Sequence, residues 1–305
     1  MTTTTKIIYL AFAVAIFTLG ALTANGALGD LFVSINGNGP NGSGSIYQYK
    51  PTEVFRIAAS GLSRPRGLAF NRFGNLFVAN STFDGTTFQV SIVKITPGGV
   101  QTVATLSGNL FGEGVAFDSA GNLFVMALDE TDPNEAATIY KITPDRVVST
   151  FGNLPGSGFG LAFDSAGNLF AAGVDQTVYK FTPDGTRSVF VGPSAFTPNS
   201  FPAGLAFDSL GNLFVSAETV CPPAEPDSIL KFTPDGVEST FATDLTLPRG
   251  LAFDRRGNLF VTELLCDTAG SDILEFRPDG TRRVFAVVSG QTNNGPEFLA
   301  FQPSQ

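Results

Sequence analysis

Residues 160–191 read GLAFDSAGNLFAAGVDQTVYKFTPDGTRSVFV, and variants of this stretch recur along the 305-residue chain. Its opening phrase appears as RGLAF (66–70), EGVAF (113–117), FGLAF (159–163), AGLAF (203–207), RGLAF (249–253) and EFLAF (297–301). The phrase that follows appears as DLFV (30–33), NLFV (75–78), NLFV (122–125), NLFA (168–171), NLFV (212–215) and NLFV (258–261). Gly67, Gly114, Gly160, Gly204 and Gly250 are 47, 46, 44 and 46 residues apart. A fixed period in this range means stacked or circular supersecondary units.

The two phrases are out of phase at the ends. The first copy of the second phrase, at 30–33, has no opening phrase before it, and the last opening phrase, at 297–301, has no second phrase after it. Five complete units thus lie between two fragments that complete each other, which predicts a ring closed through its termini rather than an open, capped solenoid. Within a unit, GLAF, NLFAA, TVYKF and TRSVFV read as four short strands, separated by DSAGN, a variable loop and TPDG. Pro183 presets φ in the last turn and Gly185 accepts the positive φ that closes it, whereas TPDR (143–146) puts Arg146 in the glycine's place. The expected fold is therefore all-β: a six-bladed β-propeller of four-stranded antiparallel blades, with 296–302 pairing onto 29–58. The 30 Phe are read as core between blades.

Ahead of the ring, Lys6 precedes the 16-residue apolar stretch IIYLAFAVAIFTLGAL (7–22), which ends among small residues. This is the layout of a secretory leader, expected over 1–26, leaving one domain over 27–305. Its removal takes away Lys6 alone, leaving 17 basic against 27 acidic residues, a net charge of −10. Such a chain is repelled by nucleic acid and by anionic membranes. The expected product is a secreted or periplasmic monomer with no membrane span. Cys221 and Cys266 follow the NLFV phrase of consecutive units, whose loops share a face, so export predicts a Cys221–Cys266 disulfide, with two free thiols as the alternative.

The chain has no histidine, which removes Ser-His-Asp hydrolysis, His-ligated zinc and the usual base at neutral pH. Carboxylates, with or without a hard cation such as calcium, remain. In a propeller the residue just before each inner strand stands at the channel mouth; here that column reads Arg66, Glu113, Phe159, Ala203, Arg249 and Glu297. Alternating charges there form structural ion pairs, or orient a polar ligand against Phe159. The loops after NLFV, at 34–45, 79–91, 126–138, 172–177, 216–228 and 262–272, open on the same face and vary while the strands do not. LDETDPNE (128–135) lacks the spacing of a calcium loop and reads as a solvated acidic rim.

The pattern GLAFDSAGNLFVA…IYKFTPDGT resembles the NHL-repeat propellers and, more broadly, the gluconolactonase/regucalcin superfamily, over residues 29–305. That resemblance implies a divalent cation at the mouth, held by the Glu of a G-E-G motif and by Asn and Asp before equivalent inner strands. Glu113 is the centre of a G-E-G, but the equivalent positions carry Arg66, Phe159, Ala203, Arg249 and Glu297. Virginiamycin-lyase-like activity would look to a histidine that the chain lacks. The favoured reading is a binding scaffold, for a small polar ligand, a polysaccharide or a protein at the loop face. The alternative is a calcium-dependent lactone or ester hydrolase centred on Glu113, with Glu218 or Glu263 and Asn80 recruited from neighbouring loops.

Overall fold

A computed structural model describes residues 29–36, 42–52, 54–133, 135–220, 226–265, 270–289 and 295–303. The leader expected at 1–26 and both Cys221 and Cys266 lie outside the described residues. Six four-stranded antiparallel sheets form the fold, and one short 3₁₀ turn, Pro193–Ala195, interrupts it. Blades II to VI are consecutive in sequence, with inner strands Arg64–Phe70, Leu110–Phe117, Gly158–Phe163, Phe201–Phe207 and Pro248–Phe253. Blade I is made from both ends of the chain: Pro296–Phe301 is its inner strand, followed by Leu31–Ile35, Gly44–Tyr49 and Phe55–Leu62. Leu31 opposes Phe301, Phe32 opposes Ala300 and Val33 opposes Leu299, and the amide of Gln302 donates to the carbonyl of Asp30. The expected closure is present.

The repeat specifies its own turns. In blades III to VI the Asp that ends the inner strand (118, 164, 208, 254) accepts a 2.8 Å bond from the backbone N–H of the Asn four residues on. Its second oxygen accepts that Asn's side-chain amide at 2.7–2.8 Å, a self-capped turn. Asn71 takes the Asp's place in blade II. At the other turn Gly185 has φ +89°, and Arg146 is held at +67°, a left-handed conformation that costs a residue with a Cβ.

One aromatic contact is repeated around the whole ring. The Phe of each second strand meets the inner-strand Phe of the next blade edge to face: Phe32–Phe70, Phe77–Phe117, Phe124–Phe163, Phe170–Phe207, Phe214–Phe253 and Phe260–Phe301. Centroids lie 4.9–5.1 Å apart at 72–76°, the favoured geometry for ring quadrupoles. The sixth pair joins the first and last blades, so these twelve phenylalanines are inter-blade core, as expected, whereas Phe55, Phe73 and Phe83 are exposed.

The inner strands crowd the axis. A Cβ on Gly250 would come within 2.7 Å of the Glu297 carbonyl and 2.8 Å of Phe298 Cα, and the other four column glycines also face the next inner strand's backbone. Hydroxyls on the second strands stitch this ring together. Thir partners are backbone groups: Ser216 Oγ accepts from Gly204 N–H and donates to the Arg249 carbonyl, and Thr262 Oγ1 does the same between Gly250 and Glu297. In blade I the glycine is replaced by Phe298, which is buried. A cavity of about 60 Å³ lies between the inner strands at the axis, with Phe298 in its wall.

Candidate functional site

Every inner strand breaks register with its neighbour next to the mouth residue, between Pro65 and Leu68, Gly112 and Val115, Gly158 and Leu161, Pro202 and Leu205, and Pro248 and Leu251. In blade I the break falls opposite Val33–Ile35. Such a bulge re-aims a side chain at a sheet's rim. It brings the Arg and Glu residues of the mouth column together.

Arg249 is the hub. Its Nε and Nη2 hold the two oxygens of Glu218 at 3.1 and 2.7 Å, a bidentate fork, and its Nη1 donates to Glu297 Oε2 at 2.8 Å. Arg66 donates to Glu113 Oε1 and lies 3.8 Å from Glu297 Oε1, which also takes a long 3.5 Å bond from Asn36. The carboxylates are sealed: side-chain exposure is 2% for Glu113, 1% for Glu218 and 9% for Glu297. The guanidinium planes are covered by aromatic rings, Arg66 over Phe111 at 5.1 Å and Arg249 over Phe159 at 5.3 Å. Phe159 in turn stacks on Phe201 at 5.7 Å.

This geometry splits the carboxylates. Burial pushes Glu113 up to about 7, because the single guanidinium of Arg66 only partly offsets its desolvation. Burial raises Glu218 as well, against the pull of Arg249. Glu297 is equally buried, yet lying between Arg66 and Arg249 outweighs that and holds it down to about 2. The network is also incompletely satisfied: among the described residues Glu113 Oε2, Arg66 Nε and Asn36 Oδ1 are buried without a hydrogen-bond partner.

Beside Glu113 the loop face opens into a cleft of about 520 Å³, walled by Phe88, Phe111 and Phe159, with Glu130 and Glu135 also in its lining. The loops around it are tighter than their sequence variability predicts. Pairing continues outward to Phe83 opposite Phe88, leaving only 84–87 as the tip. The Asp84 carboxylate ties off that tip, accepting from the backbone N–H of Thr86 and Thr87 at 2.8 and 2.9 Å. Likewise strand runs to Asp129 and resumes at Ala137, which shortens the expected 126–138 loop.

The mouth column and Glu218 therefore converge, whereas two other candidates do not join them. Asn80 Oδ1 accepts the Ser63 amide at 2.8 Å, and Glu263 accepts the Thr246 amide at 2.7 Å. Both tie down the segment entering their own blade's inner strand. Phe111 and Phe201 belong to a second column, two residues before the mouth residue, which would have revealed them if aligned: Arg64, Phe111, Ser157, Phe201, Leu247 and Gly295.

No family model and no curated protein matches the chain by sequence. Solved structures do match in shape. The periplasmic gluconolactonase PpgL of Pseudomonas aeruginosa superposes with a TM-score of 0.59 at 14% identity, over 92% of this chain and 100% of that one. Virginiamycin B lyase from Staphylococcus aureus superposes at 0.51 and 15% identity, over 88% and 77%. TolB from Acinetobacter baumannii superposes at 0.64 and 14% identity, over 90% and 67%. The chain is a six-bladed β-propeller. At such identities the likeness shows the fold alone.

Those residues fit a divalent cation poorly. Calcium takes six to eight oxygens at about 2.3–2.6 Å. At this mouth each carboxylate already faces a guanidinium, and two fixed positive charges stand where the ion's charge would sit. Among the described residues no group of three or more Asp, Glu, His or Cys is arranged to hold a metal.

Proposed function

We propose that this chain is an exported, non-catalytic binding propeller. Its loop face would take a small polar ligand, or a polar group of a polysaccharide or protein, in the cleft beside Glu113. The observation that carries this reading is that Glu113 lines that cleft while its Oε2 and, on its partner Arg66, Nε are buried without a hydrogen-bond partner among the described residues. A buried polar atom left unpaired costs about 1–3 kcal/mol, which a ligand group that both donates and accepts, such as a hydroxyl or an amide, would recover. The phenylalanine walls supply the apolar surface on which the body of such a ligand rests. The calcium-dependent hydrolase is the weaker reading because of the guanidinium groups in the mouth.

Calcium titration by calorimetry, beside a hydrolysis assay on gluconolactone, tests the choice. Neither stoichiometric calcium binding nor calcium-stimulated turnover is expected. Tight one-to-one binding that Glu113→Gln abolishes would overturn the reading. For ligand location, ligand-detected NMR against neutral oligosaccharides and short peptides should give hits that Glu113→Ala and Phe159→Ala lose; a panel without hits, or hits indifferent to both variants, counts against the cleft.

Export rests on the leader pattern at 1–26, with 27–305 as the mature unit, and similarity to a periplasmic protein is compatible with it. In an oxidising compartment Cys221 and Cys266 would pair. Non-reducing mass spectrometry of exported protein should find one peptide linked through both; two alkylatable thiols would refute the bond.

A further inference from the structure

On the face opposite the mouth, a pocket of about 320 Å³ lies at the seam where blade VI meets the N-terminal strand of blade I. Its lining departs from the repeat. In blades III to V the third strand carries a lysine whose ammonium sits 5.4–5.6 Å over a ring, Lys141 on Phe124, Lys180 on Phe170 and Lys231 on Phe214. Each of these lysines has a serine as its cross-strand neighbour, and a threonine two residues later opens the turn. Blade VI has Glu275 for the lysine, Arg283 for the serine and Arg277 for the threonine. Its DRRGN turn also puts Arg256 where Ala120, Ala166 and Leu210 stand in blades III to V.

A structural ion pair accounts for only part of this. Glu275 is buried, and its Oε2 accepts from Arg283 Nε at 2.6 Å and lies 2.5 Å from Nη2, which fixes the guanidinium. Arg277 Nε lies 3.5 Å from the same carboxylate, and Arg256 and, from blade I, Lys50 add further charge to the lining. The remaining acid, Asp254, already has both oxygens capping its own turn. Four cationic side chains against two carboxylates leave a net positive pocket in a chain whose net charge is −9. Its floor is aromatic, with Tyr49, Phe260, Phe285 and Phe301 in mutual contact at 4.9–5.9 Å.

We propose that this seam pocket binds a small organic anion. A phosphate or carboxylate would sit against Arg256, Arg277 and Lys50, and an apolar body would lie on Tyr49 and Phe285. Like charges gathered without an anion repel one another, and a planar guanidinium prepositioned by a buried carboxylate is suited to an oxyanion. Because the walls come from blade VI and from both chain ends in blade I, an occupant bridges the ring's closure and raises the melting temperature by mass action. This site is independent of the loop-face reading.

Phenyl phosphate, titrated at matched ionic strength by calorimetry and thermal shift, is the test, with inorganic phosphate and benzyl alcohol beside it. One phenyl phosphate per chain is expected, with a raised melting temperature, at least tenfold weaker binding of inorganic phosphate and none of the alcohol. Arg256→Ala with Arg277→Thr, which restores residues other blades use, should weaken binding at least tenfold. Hydrogen exchange on the unaltered chain should show protection at 254–258 and 277–283. Absence of saturable phenyl phosphate binding, binding unchanged in the double variant, inorganic phosphate binding equally well, or protection confined elsewhere would each overturn the proposal.

Discussion

A chain truncated after Gly295 is expected to lose cooperative folding. Residues 296–301 are the inner strand of blade I, and removing them leaves Leu31–Ile35 with an unpaired edge where it now ladders with Phe301, Ala300, Leu299 and Pro296. Phe298 and Leu299 are buried, and burying a large apolar side chain is worth about 1.5–3 kcal/mol. The truncation also removes Phe301 from Phe260, Glu297 from both arginines, and the carbonyl that Thr262 holds. These losses add to a large part of the ~5–15 kcal/mol by which domains are stable. Removing only 303–305 should be silent. A circular permutant that joins Phe301 to Leu31 through Asp-Ser-Ala-Gly-Asn, the turn of blades III and IV, should melt with a single transition. Calorimetry decides: a 1–295 chain melting within a few degrees of the full one would show that the ring does not depend on this strand.

That closure was readable from the phase of two short phrases, because a propeller's repeat carries its turns, inter-blade phenylalanines and close-approach glycines in the same few residues. The mouth column was readable for the same reason: Arg66, Glu113, Arg249 and Glu297 occupy equivalent positions, and equivalence in a closed ring is proximity. Packing at single positions was harder to foresee. Asn80 and Glu263 look like free polar groups in a loop until the neighbouring backbone amide of Ser63 or Thr246 is seen to claim them. The loop boundaries moved because Phe83 and Phe88 extend a ladder that the composition alone would end sooner. The seam pocket was not foreseen: the substitutions at Glu275, Arg277 and Arg283 have no meaning as a site until Lys50 arrives from the other end of the chain.

Replacing Arg249 with Met should destabilise the protein by about 3–5 kcal/mol near neutral pH, because it strands buried charge rather than merely deleting a contact. Glu218 would lose both bonds of its fork, Glu297 its shorter cationic partner, and Phe159 the guanidinium above it. The deficit should shrink with acid, since a stranded carboxylate escapes its penalty by taking a proton, and Glu218→Gln in the Arg249→Met background should restore part of the loss. A deficit independent of pH and of Glu218 would mean that lost packing, not charge, dominates. The parent protein carries two opposing pH dependences. Glu297, held at about 2 in the folded state, stabilises fully above its unfolded value of about 4.3 and loses that contribution as pH falls towards its folded value. Glu113, held at about 7, does the opposite: the folded state takes its proton more readily, so stability is fullest below the unfolded value and is lost as pH rises through the folded one. Glu113→Gln should therefore flatten the decline in melting temperature between about pH 5 and 7 while leaving the acid limb in place. Melting curves of parent and variant that fall in parallel across that interval would assign the decline to other groups.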